Sequence, residues 1–239
     1  MTDNTNNVLF ISYYFPPAGG PGVQRVLKFV KYLPEFGWNP VVLTVKNGDY
    51  PAYDESLVSE IPDTVPVYKV PAIEPHALYK KFTKKNVDEK IPVGLLSKSE
   101  GAGFKEKFAR WVRANIFIPD ARVACNFPMI RAGNEIIGKH KIRAIFCSTP
   151  PHSLQLSAMY LSKKWNIPWI ADFRDPWTDI FYYQNIDRMH ISRAIDKILE
   201  RRVLNISNSV VTVSKSIKEN LHRNSEQNNI QVLYNGYDA

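Results

Sequence analysis

The sequence predicts an α/β fold built on a doubly wound, mostly parallel sheet, and three observations carry that expectation. Short runs of branched and aromatic residues alternate with stretches of helical spacing through most of the chain. The runs are apolar at successive positions rather than at every second one, as suits strands covered on both faces. The first of them leads through a turn rich in glycine and proline directly into a helix, which is how a βαβ unit begins.

Val8, Leu9, Phe10 and Ile11 make the first strand. Pro16, Pro17, Gly19, Gly20, Pro21 and Gly22 then exclude regular structure before Val23, Val26, Leu27 and Val30 resume at helical spacing. That helix is expected to end near Phe36 and Gly37, and Pro40 to Val45 to form a second strand parallel to the first. A polar, proline-bearing excursion from Lys46 to Pro66 precedes a short third strand, Val67 to Val70, which Pro71 stops. From Glu74 to Gly103 periodicity fades and lysines accumulate, so 74–118 reads as a basic, helical insertion facing a membrane or an acceptor. Within it Phe104, Phe108, Trp111 and Val112 fall on one helical face, while Lys105, Lys107, Arg110 and Arg113 lie on the flanks and opposite side. Two readings stay open: the stripe enters the core, or Lys105, Phe108, Trp111 and Arg113 meet an anionic membrane.

The second half repeats the alternation more cleanly. Phe127 to His140, Ser153 to Trp165, Ile191 to Ile206 and Lys215 to Leu221 read as helices. Ala144 to Ser148, Trp169 to Asp172, Ser209 to Val213 and Ile230 to Leu233 read as the strands between them. With 239 residues, 44% of them hydrophobic, the chain can bury a sizeable core as one large domain.

Lys and Arg number 31 against 23 acids, a formal charge of +8, which invites phosphorylated small molecules, acidic lipid or nucleic acid. A nucleic-acid partner is not expected, because no basic stripe sits in a recognised module. Cys125 and Cys147 lack metal-ligand spacing and follow a polar opening, MTDNTNN, so a reducing cytosol is the expected compartment. No stretch approaches the roughly 18 apolar residues of a membrane span, so any membrane contact is expected to be peripheral, at the inner face. Neither a GxSxG elbow, an HExxH pair nor a clustered metal-ligand set is present.

In such a sheet ligands collect beyond the carboxyl ends of the strands. The glycine turn there would aim backbone N–H groups and a helix dipole at one small volume, which is phosphate-binding physics. PAGGPG is, however, neither GxGxxG nor a Walker A sequence, so a turn without ligand competes with that reading. His152 stands where a loop enters a helix, beside Ser153 as its expected N-cap. It either hydrogen-bonds a hydroxyl or phosphate, or it packs. Asp172, Arg174 and Asp175 either pair with one another, or Arg174 meets an anion while an aspartate accepts hydroxyls.

FISYYFPPAGGPGVQRVLKFVKYLPEFGWNPVVLT, STPPHSLQLSA, ADFRDPW, VVTVSKSIKENL and VLYNGYD, in that order, resemble the amino-terminal half of a family 4 glycosyltransferase, a retaining enzyme of GT-B architecture. The resemblance implies two Rossmann-like domains, of which residues 1–239 are the acceptor side, while the nucleoside diphosphate sugar binds chiefly to a second domain. It implies backbone amides of Gly19 and Gly20 near the donor phosphates, His152 near the transferred sugar, and Asp172 and Arg174 at the cleft. The candidate set is then His152 and Asp172 for catalysis, with Gly19, Gly20, Gly22, Arg25, Arg174 and Asp175 for donor phosphate or acceptor. No metal or other cofactor is expected, since amides and basic side chains stabilise the departing diphosphate. The activity implied is transfer of a hexose, with retention, to a surface glycan on a lipid carrier, and the 239 residues alone are expected to be inactive. A standalone module binding a phosphorylated glycan or anionic membrane is the alternative.

Overall fold

Strands that are apolar at every position need cover on both faces, and the chain supplies it. The computed structural model describes residues 6–73, 104–180 and 188–236. Seven strands are formed by Asn6–Ser12, Trp38–Lys46, Val67–Pro71, Ile142–Thr149, Trp169–Phe173, Ser209–Thr212 and Ile230–Val232, numbered β1 to β7. Helices α1 to α6 span Pro21–Tyr32, Phe104–Asn115, Asn126–His140, Leu154–Trp165, His190–Ile206 and Lys215–Asn224. The sheet order is β3-β2-β1-β4-β5-β6-β7, and every pairing is parallel. The sheet is thus wholly rather than mostly parallel.

Alternation along β1 divides the core. Leu9 and Ile11 join Leu43, Ile145, Met129, Ile136 and Leu161 on one face. Val8 and Phe10 join Val42, Phe146, Val26 and Val30 on the other. Residues i and i+2 share a sheet face, so a run without polar interruptions feeds both layers at once. Burial of these side chains, each stabilising by about 1.5–3 kcal/mol, holds the helices to the sheet.

The element bounds depart from the spacing in small ways. The first helix stops at Tyr32 and a 3-10 turn, Leu33–Phe36, continues to Gly37, whose φ of 76° closes it. Pro34 cannot supply an amide to an α-helical ladder, which tightens the last turn instead. The fourth strand begins at Ile142, two residues before the expected Ala144, after a left-handed Lys141 at φ 48°. Of the expected insertion, 74–103 lies outside the described residues, and the helix within 104–118 is present as α2.

The strand order fixes the functional edge. Chain connections leave β1 toward β2 on one side, while β4 is its neighbour on the other, so a topological switch point falls between β1 and β4. Everything that follows those two strands opens on one crevice.

Candidate functional site

The crevice beyond β1 and β4 has a volume of about 390 Å³, and its walls include Tyr14, Gly20, Gly22, Pro150, Arg174 and Asp175. Gly20 is the N-cap of α1 with φ 99° and ψ 171°, a conformation that suits glycine alone. Pro21 follows at the first helical position, where a missing N–H costs nothing. Gly19 donates its N–H to the Ala52 carbonyl at 2.9 Å, and Asp54 N–H donates to Pro17 O at 2.9 Å. The turn is thereby strapped to residues 52–54, so the Gly19 amide, expected to face a phosphate, faces Ala52. Gly20 and Gly22 belong to the cap and first turn, where N–H groups have no intrahelical acceptor.

Gly22 has a further, steric reason to be glycine. A Cβ there would lie 2.1 Å from Arg174 Nη1, so the guanidinium rests against the first turn of α1. Arg174 is held from the other side by the Thr149 carbonyl, 3.0 Å from Nε, and the Pro150 carbonyl, 3.3 Å from Nη2. Burial lowers its pKa from the usual value, and the Asp172 and Asp175 carboxylates oppose that shift. Burial raises the Asp175 pKa, opposed by Arg174. A cation, with the Asp175 carboxyl near it, and the open end of a helix dipole therefore share one wall of the crevice, chemistry that suits an anion.

Asp172 and Arg25 stand elsewhere than expected. Asp172 is fully buried and accepts from Arg25 Nη2 at 2.9 Å and from Arg25 Nε at 3.2 Å. Ser148 Oγ donates to Asp172 Oδ2 at 2.7 Å from the paired position on β4. Arg25, only 5% exposed, lies over the Phe29 ring and donates through Nη1 to Leu233 O at 2.8 Å and Asn235 Oδ1 at 3.2 Å. The pair joins α1, β4, β5 and the segment after β7 beneath the crevice and does not face it. A buried ion pair with both partners satisfied is a structural tie, so these two residues act by positioning.

His152 is buried, 5% exposed, and is not part of the crevice wall. Its ring stacks on Trp177 at 5.2 Å and 10°, and on Phe173 at 5.8 Å and 24°. Neither ring nitrogen meets a partner in hydrogen-bond geometry, although the Pro176 carbonyl is near enough to favour a proton there. Burial dominates, with Arg174 adding to it, and pushes the pKa down to about 3. The imidazole is therefore neutral throughout the physiological range.

Residues that sequence spacing did not single out hold this arrangement. Ser153 occupies the N-cap of α4 in helical conformation, but its side chain caps nothing. Instead Asp120 accepts the Ser153 N–H at 2.8 Å and the Ser153 hydroxyl at 2.9 Å, capping α4 from 33 residues away. Trp177 donates its indole N–H to Asp196 Oδ1 at 2.7 Å, and Arg188 pairs with Asp196 at 2.6 Å. Thr178 Oγ1 donates to Glu200 at 2.5 Å. Burial raises the pKa of both Asp196 and Glu200. Their spacing of four residues, in line with buried Val203 and Ser192, was the available signal that α5 turns carboxylates inward.

On α2, Phe108 and Trp111 are 58% and 42% exposed and stack at 6.3 Å and 15°. This pair is outside the core, while Val112 and Arg113 are half-buried. The side chain of Lys105 lies outside the described residues. Among the described residues, no helix is long and apolar enough to cross a membrane, and no group of three His, Cys, Asp or Glu side chains could hold a metal ion.

The family model of Glycosyltransferase Family 4 matches residues 87–239, more than half of the chain. No curated protein sequence matches it. Among solved structures, sucrose-phosphate synthase from Thermosynechococcus elongatus superposes with a TM-score of 0.55 at 12% identity, covering 98% of this chain and 49% of that one. The lipopolysaccharide outer core galactosyltransferase WaaB gives 0.51 at 12% identity, covering 97% and 46%. Anabaena HepE in complex with UDP-glucose gives 0.50 at 13% identity, covering 97% and 44%. At these identities the likeness is one of fold, Rossmann-like α/β, and this chain spans less than half the length of each.

Proposed function

This chain belongs to Glycosyltransferase Family 4, and from that membership we propose that it forms the acceptor side of a retaining glycosyltransferase. The donor is a nucleoside diphosphate hexose, bound chiefly by a second domain facing the crevice. The acceptor is a surface glycan, carried on a lipid and met at an anionic membrane through α2. HepE, a structural neighbour, was solved with UDP-glucose, which supports a nucleotide sugar as donor. The observation that carries the reading is the crevice wall on which Gly20 and Gly22, at the start of α1, meet the Arg174 guanidinium; the neutral, buried His152 imidazole lies near enough to feel that charge.

The chemistry assigned to these groups follows from their charge. Negative charge grows on the diphosphate as the glycosidic bond to it breaks, and fixed donors aimed at that charge stabilise the transition state more than the ground state. Arg174 and the first turn of α1 supply such donors. Neutral His152 offers an N–H or a lone pair to a sugar hydroxyl without placing a positive charge beside the cationic sugar that develops. The diphosphate takes the acceptor proton as its own bond breaks, so no side-chain base is required.

The test uses the complete gene product, UDP-glucose, UDP-galactose or GDP-mannose labelled in the hexose, and a lipid extract of the producing cell. Label is expected in a glycolipid whose new linkage keeps the anomeric configuration of the donor by NMR. Absence of both transfer and donor hydrolysis contradicts the reading.

A further inference from the structure

The outward face of α5 is a feature the crevice does not use. Ile191, Ile195 and Ile198 follow one another at helical spacing and are 61%, 42% and 64% exposed. Apolar side chains of that size at i, i+4 and i+7 form a stripe, yet this one points away from the core. The buried face of α5 carries Val203 and Leu204 but also two acids: Asp196 is fully buried and Glu200 is 1% exposed. Both carboxylates are consumed inside, Asp196 by Trp177 and Arg188, Glu200 by Thr178.

This inversion leaves the exposed surface of α5 without an acid. Its exposed charges are Arg193, Lys197, Arg201 and Arg202, of which Arg201 and Arg202 lie nearest the isoleucine stripe, while Arg193, two positions from Ile191 and from Ile195, projects from the opposite side. We infer that α5 lies on an anionic phospholipid surface, with the three isoleucines entering the boundary of the acyl chains and the basic residues meeting lipid phosphates. An amphipathic helix of this composition is what such an interface binds. Nucleic acid would match the charge but leave the isoleucines in water. A second copy docked on the same stripe about a two-fold axis would bring like basic flanks together.

The stripe is joined to α2. Met189 N–H donates to Asn115 Oδ1 at 2.6 Å, Ser192 Oγ donates to Asn115 O at 3.1 Å, and Arg188 Nε donates to Ala114 O at 3.1 Å. The end of α2 and the start of α5 therefore form one corner, with Ile116 62% exposed beside it. The inference extends the membrane part of the proposed function to a second helix, but rests on residues of its own.

The test is sedimentation of the complete gene product with phosphatidylcholine vesicles, with and without about a third phosphatidylglycerol. Binding is expected only with phosphatidylglycerol and is expected to weaken as salt rises. Replacing Ile195 and Ile198 together by Ser is expected to lower the partition at least about tenfold, with an unchanged circular dichroism melt. The Arg201→Glu, Arg202→Glu double variant should do the same. Unchanged partition in both variants overturns the inference, as does absence of wild-type binding. If Trp111→Ser abolishes binding while the α5 variants retain it, α2 alone meets the membrane and the inference on α5 fails. A dimer in light scattering that Ile195→Ser, Ile198→Ser dissolves, without vesicle binding, assigns the stripe to a second copy and overturns it too.

Discussion

At the scale of single residues, polar groups under the crevice divide into those already satisfied and those left open. Arg25 and Asp172 are satisfied, so removing one strands the other. Asp172→Ala is expected to cost about 3–5 kcal/mol in urea unfolding, whereas the Arg25→Met, Asp172→Leu pair recovers most of that loss. His152 is left open, and its pKa of about 3 has a consequence for stability. The unfolded ring titrates near 6.5, so between 6.5 and 3 the unfolded state binds more protons than the native state. The stability of the neutral ring is therefore complete above pH 6.5 and declines as pH falls toward 3, by at most about 1.4 kcal/mol per pH unit. Urea midpoints between pH 7 and 4.5 should fall less steeply for His152→Gln than for the wild type. The raised values of Asp175, Asp196 and Glu200 act in the opposite sense, favouring the native state as pH falls, and cancel in the comparison. Gly22→Ala drives a methyl group into Arg174. It is expected to weaken diphosphate binding on the order of tenfold in calorimetry, the worth of one charge-assisted hydrogen bond, with little change in the melt.

At the scale of elements, what the sequence made legible was what local chemistry decides. Val8 to Ile11 and Val41 to Val45 read as buried strands because apolar residues follow one another with Thr44 the single polar exception, and both are interior strands of the sheet. Gly20 was legible as a breaker, and its positive φ gives the reason. The cap of α4 was not, because Ser153 has the right identity at the right place while Asp120, distant in the chain, does the capping. The pairing of Arg25 with Asp172 was hidden for the same reason: 147 positions separate them and only the packing of α1 on the sheet brings them together. On α2 periodicity identified an apolar stripe correctly but could not tell core from surface, and Phe108 and Trp111 are at the surface. On α5 the reverse error was available, since three isoleucines at helical spacing read as core and are exposed.

At the scale of the whole molecule, the strand order decides where ligands go. β1 and β4 are neighbours with connections leaving in opposite directions, so the glycine turn, Pro150 and Arg174, far apart in sequence, face one crevice. The seven parallel strands and their helices carry the fold of the family, and the chain covers less than half of the solved glycosyltransferases it superposes on. The central proposal is a donor site divided between this crevice and a second domain. It is tested most directly by calorimetric titration of UDP-glucose and GDP-mannose into the complete gene product, its Arg174→Ala variant, and the 239-residue chain. One of the two nucleotide sugars should bind the complete product, at least about tenfold more weakly after Arg174→Ala, and the 239-residue chain weakly or not at all. Equal affinity for the complete product and its Arg174→Ala variant would contradict a donor diphosphate held in this crevice.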